Sequence, residues 1–311
     1  MLKYTIKRLL QALIVLWGVY TLTFIVVNLI PGDVVAMMMN RRADAATIER
    51  IRHQLGMDLP LYVQYFRYLG NVLHGDFGTS YIKSVPVISL ITSGFKVTAR
   101  LGLTAYAIAI CVGFPVGVFT ALHRGKLADR LGIIMIMMLV SIPGFWLAVL
   151  LQILFGLKLG WLPISGMETA KWVILPAMTL AAGYSASMAR LTRTNILEAI
   201  SQDYTRTAYA KGLKDHLVIV KHVLKNAAIP TVTLFGLQLP SVLGGAMIIE
   251  KIFSLPGIGS VAIDAINNRD FPVMQGTVLY AASLFVLINL AVDLLYALLD
   301  PRIRAGVRGD K

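Results

Sequence analysis

Residues 190–226 read RLTRTNILEAISQDYTRTAYAKGLKDHLVIVKHVLKN, a polar stretch between two long apolar segments. It is too long for the tight connection that usually joins two neighbouring helices. Asp203 is placed to cap a helix of Ala and Lys, and Gly212 stands where that helix would end. After Gly212, apolar residues recur at helical spacing on one face: Leu213, Leu217, Val220 and Leu224. The stretch therefore predicts two short helices that meet at a glycine and present a surface to a partner.

The composition of the 311-residue chain is that of an integral membrane protein. Hydrophobic residues make up 57% of it and charged residues 14%, which leaves too little polar surface to cover a water-soluble fold. A helix needs about 20 apolar residues to cross roughly 30 Å of hydrocarbon. Six stretches are suitable: 9–30, 99–121, 132–156, 174–190, 227–250 and 276–299. The fourth is short and could extend into 191–200. The predicted fold class is all-α integral membrane with six transmembrane helices.

The distribution of Lys and Arg sets the predicted orientation. With the N-terminus in the cytoplasm, seventeen of these residues fall on the inner side and four in the short outer loops, as the positive-inside rule requires. We therefore predict an N-in/C-in topology. Its parts are an N-terminal basic segment with the first span (1–30), a large periplasmic loop (31–98) and a five-span core (99–311) containing the cytoplasmic loop 190–226 and a short C-terminal tail. The net charge of +13 then indicates contact with anionic membrane lipid and no nucleic-acid partner.

The polar stretch resembles the cytoplasmic EAA loop of ABC importer permeases, in the version found in the dipeptide, oligopeptide and nickel permease family. Three residues match the general pattern of that loop: Ala208, Gly212 and Leu224. Four depart from it as the peptide branch would: Arg206, Thr207, His222 and Lys225. The resemblance covers nearly the whole chain, from Pro31-Gly32-Asp33 to Asp300-Pro301.

The resemblance implies a permease subunit in a bacterial inner (plasma) membrane. The implied partners are a second homologous permease, two ATP-binding subunits and an external substrate-binding protein. In that family the loop docks into a cleft on the ATPase subunit. The residues it assigns to this coupling contact are Asp203, Arg206, Thr207, Ala208, Lys211, Gly212 and Leu213. The implied cargo is a peptide, with dipeptides, oligopeptides, glutathione and nickel chelates all left open, because much of the selectivity lies in the binding protein.

Four residues inside the predicted spans are candidates for the translocation path: Ser141, Pro143, Gln238 and Ser241. The first pair predicts a break in the third span, which is tolerated only in protein or beside water. The second pair is polar at membrane depth. A structural kink and hydrogen bonding between helices are the respective alternatives. Asp293, the one clear acid well inside a span, is predicted to pair with a basic residue of the C-terminal tail.

The segment 31–98 predicts two helices outside the membrane. Gly56 stands at the end of the first and Pro60 at the start of the second. This segment could contact a substrate-binding protein or pack over the spans of its own chain, and both alternatives stay open.

No motif in the chain predicts an enzyme. Phosphate-loop, zinc-protease and hydrolase patterns do not occur, and the five histidines are scattered outside the predicted spans. We therefore expect no metal, no cofactor and no ATP site on this subunit. The rival function is a stand-alone channel or ion-driven secondary transporter, in which 190–226 would be an ordinary loop. An ion-driven carrier would be expected to hold several acids at mid-depth.

Overall fold

The computed structural model describes residues 2–29, 45–244 and 246–299, and these residues are mostly helical. The described α-helices are, in chain order, α1 (Leu2–Leu29), α2 (Ala45–Leu55), α3 (Leu61–Leu73), α4 (Val87–Leu122), α5 (Leu127–Ser141), α6 (Gly144–Leu151), α7 (Ile174–Ser201), α8 (Asp203–Ala210), α9 (Asp215–Leu217), α10 (Lys225–Gly244), α11 (Met247–Ile252), α12 (Ile258–Asn268) and α13 (Phe271–Leu299). Two π-helical segments, Gln152–Lys158 and Val218–Leu224, follow α6 and α9.

Among the described residues, five helices are long and apolar enough to cross a membrane, or six if one bent pair counts as a single span. The bent pair is Leu127–Ser141 with Gly144–Lys158, and its two parts meet at 99°. Ile142 has an extended backbone there because Pro143 disfavours the helical conformation in the residue before it. The all-α membrane fold is thus confirmed, together with the predicted break in its third span.

Two helices extend beyond the apolar runs from which their spans were predicted. α4 begins at Val87, ahead of the run 99–121. α7 continues to Ser201, the extension into 191–200 that the sequence allowed, so the polar stretch 190–226 begins inside this helix. α7 continues because it keeps an apolar face after its charges begin: Ile196 and Ala199 are buried, while Thr194 and Glu198 are exposed. The charged residues of this segment did not end the helix.

The chain divides into two units. The first contains Met1–Thr98 and Pro256–Lys311, and in it α1 packs along α13. The Arg8 guanidinium lies 2.9 Å from the Asp293 carboxylate. Asp293 therefore pairs with a basic residue of the first span. The C-terminal tail, 300–311, with which the sequence predicted a pairing, lies outside the described residues.

The second unit contains Ala99–Leu255, and α7 is its central helix. α4 approaches α7 closely at two glycines: a side-chain carbon added at Gly113 would lie 2.6 Å from the Ser185 carbonyl oxygen, and one added at Gly117 would lie 2.6 Å from that of Ala189. Small residues allow helix backbones to come together in this way. The small residues Ser185 and Ala189 thus form part of the face by which α7 packs against α4.

Candidate coupling site

The helix α8 is a short, separate element between the end of α7 and the start of α9. Asp203 is its first residue and Gln202 occupies the cap position, so the prediction that Asp203 caps the helix is wrong. The Asp203 carboxylate lies 3.6 Å from the exposed Arg206 guanidinium instead. At the other end Gly212 has φ +77°, and its N–H donates to the Tyr209 carbonyl at 2.9 Å. A glycine in the left-handed region is a common helix ending, as the sequence predicted.

The inner face of α8 is held against the protein. The Thr205 hydroxyl donates a buried 2.8 Å hydrogen bond to the Ala199 carbonyl oxygen at the end of α7. Ala208 is 4% exposed. Beneath them a cluster of buried residues joins the ends of α4, α7, the second π-helical segment and α10: Ala121, Ile196, Ala199, Val223 and Ala227. α8 therefore sits on a packed junction of several helices.

The outer face of α8 is polar and open. The exposed coupling candidates are Asp203, Arg206, Thr207, Lys211, Gly212 and Leu213. Tyr204 and Tyr209 are exposed beside them and were missed by the sequence reasoning. Ala208 differs from the other candidates because its side chain packs inward. Ala208 can therefore hold α8 against the protein, whereas a partner would contact the exposed residues.

A hydrogen bond closes the turn around Gly212. The Tyr209 hydroxyl donates to the Asp215 carboxylate at 2.6 Å, which links α8 to α9 across the glycine. This bond raises the pKa of Tyr209, so its hydroxyl keeps the donated proton at neutral pH. Sequence reasoning missed the pair, although a tyrosine and an acid flanking a helix-ending glycine are a visible signal.

The predicted apolar face after Gly212 is largely wrong. Leu217 and Val220 are exposed, whereas Val218 and Val223 are fully buried. The cause is the π-helical segment Val218–Leu224, in which the turn is wider than in an α-helix and residues five apart share a face. The segment continues directly into α10, so motion of α9 would reach the fifth predicted span without an intervening loop.

A bidentate ion pair holds α7 to α5 near the end of α7 that leads into α8. The Arg193 guanidinium donates to both Asp129 oxygens, at 2.9 and 3.0 Å, and the Gly125 N–H donates to the same carboxylate at 3.0 Å. Asp129 is almost completely buried. The pair holds the start of α5 against the C-terminal part of α7. The sequence reasoning missed it because the two partners are far apart in the chain.

The four candidates for the translocation path have different surroundings. Ser141 and Pro143 flank the 99° bend, and the Ser141 hydroxyl donates to the Met137 carbonyl of its own helix. In α10 the Gln238 side-chain oxygen is buried and has no hydrogen-bond partner among the described residues, and Ser241 is exposed. Within the described residues, no three His, Cys, Asp or Glu side chains group as metal ligands.

Two family models match the chain. Residues 113–305 match the binding-protein-dependent transport system inner membrane component, and residues 1–102 match the N-terminal part of the same kind of membrane component. The chain belongs to this permease family. The protein is therefore a multi-pass inner-membrane permease subunit of an ABC importer.

Relatives along the whole chain agree with this assignment. The permease is 43% identical to the glutathione transport system permease protein GsiC of Salmonella paratyphi A, over 98% of this chain and 99% of that protein. It is 42% identical, with the same coverage, to GsiC of Escherichia coli strain K12.

Two solved structures share the fold of the permease. A crystal structure of an amino acid ABC transporter has a TM-score of 0.54 at 18% identity and covers 69% of this chain and 94% of that one. An inward-facing methionine ABC transporter has a TM-score of 0.56 at 18% identity and covers 68% of this chain and 97% of that one. The membrane-helix arrangement of ABC importers is thus common to all three.

Proposed function

We propose that the permease forms half of the translocation path of an ATP-driven peptide importer and that α8 is its coupling helix. The observation that carries the proposal is the two-sided character of α8. Its outer face is polar and is left exposed by the described residues of its own unit, while Thr205 and Ala208 hold its inner face on the end of a span. A helix built in this way can receive a force at the surface and pass it to the membrane helices.

The proposed complex contains a second homologous permease, two ATP-binding subunits and an external substrate-binding protein. ATP hydrolysis occurs on the partner subunits, and α8 faces the cytoplasm in the N-in/C-in topology. Small peptides are the proposed cargo class. Glutathione is the first candidate to test, since the relatives at 43% and 42% identity are glutathione permeases by name.

Two connections carry motion away from α8. One runs through the Thr205–Ala199 hydrogen bond into α7, which the Asp129–Arg193 pair braces. The other runs through the Tyr209–Asp215 bond and the π-helical segment into α10. Reversing a 1:99 bias between two conformations takes about 5.5 kcal/mol. Closure of an ATPase pair against α8 has to supply that difference to open the path on the other side.

The proposed path residues are Ser141 and Pro143 at the bend and Gln238 and Ser241 in α10. Buried polar groups without partners are costly in a membrane interior. The buried Gln238 oxygen supports a role at a water-filled or cargo-filled path, where that oxygen gains a partner. The exposed Ser241 hydroxyl suits the same surface.

The decisive experiment reverses charge on the outer face of α8. In the purified complex, the pair Arg206→Glu and Lys211→Glu should abolish ATP-dependent glutathione or peptide uptake into proteoliposomes and weaken retention of the ATPase subunits. The matched control is Lys126→Glu with Arg130→Glu, two exposed cations in and beside the turn before α5, which should transport normally. Normal uptake and normal ATPase retention in the α8 variant would refute the coupling role.

The rival function makes a different prediction. A channel or ion-driven carrier would move cargo with this chain alone, under an ion gradient and without ATPase subunits. The proposal requires that such vesicles show no uptake until the ATPase subunits, ATP and the binding protein are added.

A further inference from the structure

The helix α3, in the segment predicted to lie outside the membrane, has three distinct faces. Tyr65 and Tyr68 contact the first span: the Tyr20 ring lies 4.9 Å from the Tyr65 ring and 5.9 Å from the Tyr68 ring. A second face carries Gln64, Arg67 and Asn71. A third face is an apolar stripe at helical spacing, which we call the α3 stripe: Tyr62, Phe66, Leu69 and Leu73.

The described residues of its unit leave the α3 stripe uncovered. Tyr62 is 68% exposed, Phe66 65% and Leu73 77%. These three side chains and the half-buried Leu69 between Phe66 and Leu73 follow one another along successive turns of α3. Apolar patches of this kind mark a surface that meets another apolar phase.

The polar face of α3 has protein partners of its own. The Gln64 side-chain amide donates to the Met57 carbonyl at 3.2 Å and to the Leu59 carbonyl at 2.7 Å. A side-chain carbon added at Gly56 would fall 2.6 Å from the Arg67 guanidinium. The turn between α2 and α3 therefore packs against Gln64 and the end of the Arg67 side chain, while Arg67 and Asn71 stay largely exposed. The α3 stripe lies on a different side of the helix from this turn.

The contact with α1 fixes the depth of α3. The Tyr20 hydroxyl donates to the Tyr65 backbone carbonyl, and the hydroxyls of Thr21 and Tyr65 are 2.8 Å apart. Tyr20 lies nine residues before the end of the span Thr5–Leu29, which is about 13 Å along a helix axis. The hydrocarbon core is roughly 30 Å thick. The centre of α3 is thus fastened to a part of α1 that lies inside one leaflet, whichever way the chain is oriented.

Aromatic rings connect the span to the α3 stripe without a gap. Phe24 of α1 lies 5.3 Å from the Tyr65 ring, and the Tyr65 ring lies 5.2 Å from the Phe66 ring. On the other side of α1, Leu22, Ile25 and Val26 are exposed apolar residues of a membrane span. The rings therefore join the α3 stripe to the side of that span that carries Tyr20 and Phe24.

We infer that α3 is an interfacial membrane helix whose stripe is buried among the lipid acyl chains of the leaflet next to the C-terminal end of α1. An amphipathic helix lies in the membrane plane in this way when one face is apolar and the other is polar. Part of the segment 31–98 then belongs to the membrane. The surface that it offers to a substrate-binding protein is correspondingly smaller.

Spin-label accessibility in the assembled complex tests the inference. Cys111 is replaced by Ser, and single cysteines are introduced by Phe66→Cys, Leu73→Cys and Tyr62→Cys on the stripe. Arg67→Cys and Asn71→Cys on the polar face of the same helix are matched controls, and Leu22→Cys on α1 is the lipid reference. Each nitroxide-labelled complex is placed in nanodiscs of phosphatidylethanolamine and phosphatidylglycerol. Collision rates with dissolved oxygen and with a water-soluble nickel chelate are then compared.

The expected result is a helical alternation. Labels on the stripe should collide with oxygen severalfold more than with the nickel chelate, as Leu22→Cys does, and labels on the polar face should show the reverse. Two results would overturn the inference. Nickel contact at all stripe positions would place the stripe in water, open to the binding protein. Exclusion of both reagents there would mean that another protein subunit covers it.

Discussion

Single residues decide how α8 is terminated and seated. Gly212 has φ +77°, and no atom lies within 4 Å of the position that a side-chain carbon would take. Its requirement for glycine is therefore conformational and not steric. Ala208 is the opposite case, since its ordinary helical backbone accepts any residue but its side chain is buried.

Replacing Gly212 by Ala should loosen the turn between α8 and α9. An L-residue in the left-handed region costs about 1 kcal/mol, which corresponds to about fivefold faster opening of the local hydrogen bonds. Hydrogen exchange of the peptide amides over 203–217 measures this directly. Gly183→Ala is the matched control, because that glycine also has open space around it and lies in a regular helix. Unchanged exchange in Gly212→Ala would show that the turn carries no backbone strain.

At the scale of elements, α7 is held from two sides. The middle of α7 packs closely against Gly113 and Gly117 of α4. Nearer its C-terminal end, the Asp129–Arg193 pair holds α7 to α5. Removing one member of a buried pair leaves the other charge without compensation. Replacing only one member of the Asp129–Arg193 pair should therefore destabilise the protein more than replacing both with apolar residues.

Arg193→Ala should lower the stability of the purified permease by about 3 kcal/mol, the low end of the usual range, because Arg193 is 23% exposed. Thermal unfolding of the complex in one detergent is the measurement. Arg190→Ala changes an exposed arginine of the same helix and should leave the midpoint almost unchanged. The double variant Asp129→Leu with Arg193→Met should recover most of the loss. If the double variant is no more stable than Arg193→Ala, the uncompensated charge is not the cause.

At the scale of the whole molecule, the charge distribution predicts the topology, and the packing shows which turns lie on one side. Ala121 at the end of α4 shares a buried cluster with Ile196 and Ala199 of α7. The turn after α4 is therefore on the same side of the second unit as the base of α8. A measurement that shows on which side of the membrane this turn lies therefore also shows on which side the candidate coupling site lies.

We expect Lys126→Cys to be labelled from the cytoplasm and Lys83→Cys from the outside. Both lysines are exposed in turns, and Cys111 is first replaced by Ser so that no other thiol reacts. A membrane-impermeant maleimide applied to intact cells should label only Lys83→Cys. The same reagent applied to inverted vesicles should label only Lys126→Cys. Labelling of both cysteines from one side would contradict the six-span N-in/C-in topology.

Much of the fold was predictable from local sequence. The class, the approximate spans, the break at Pro143 and the helix end at Gly212 depend on composition, apolar run length and the backbone preferences of Pro and Gly. These signals act over a few residues, so one sequence contains them. For the candidate site, the sequence motif located the short helix α8 but not the inward direction of the Ala208 side chain.

The remaining features required the three-dimensional structure. Asp293 pairs with Arg8, Asp129 pairs with Arg193, and Val218 and Val223 are buried in place of the predicted apolar face. Each outcome depends on which distant helix is adjacent, or on a π-helical turn that changes the spacing of a face. Local sequence determines what a segment can form and where it breaks. Packing alone selects its neighbours, because burial and ion pairing are energies between groups that the chain brings together only when it has folded.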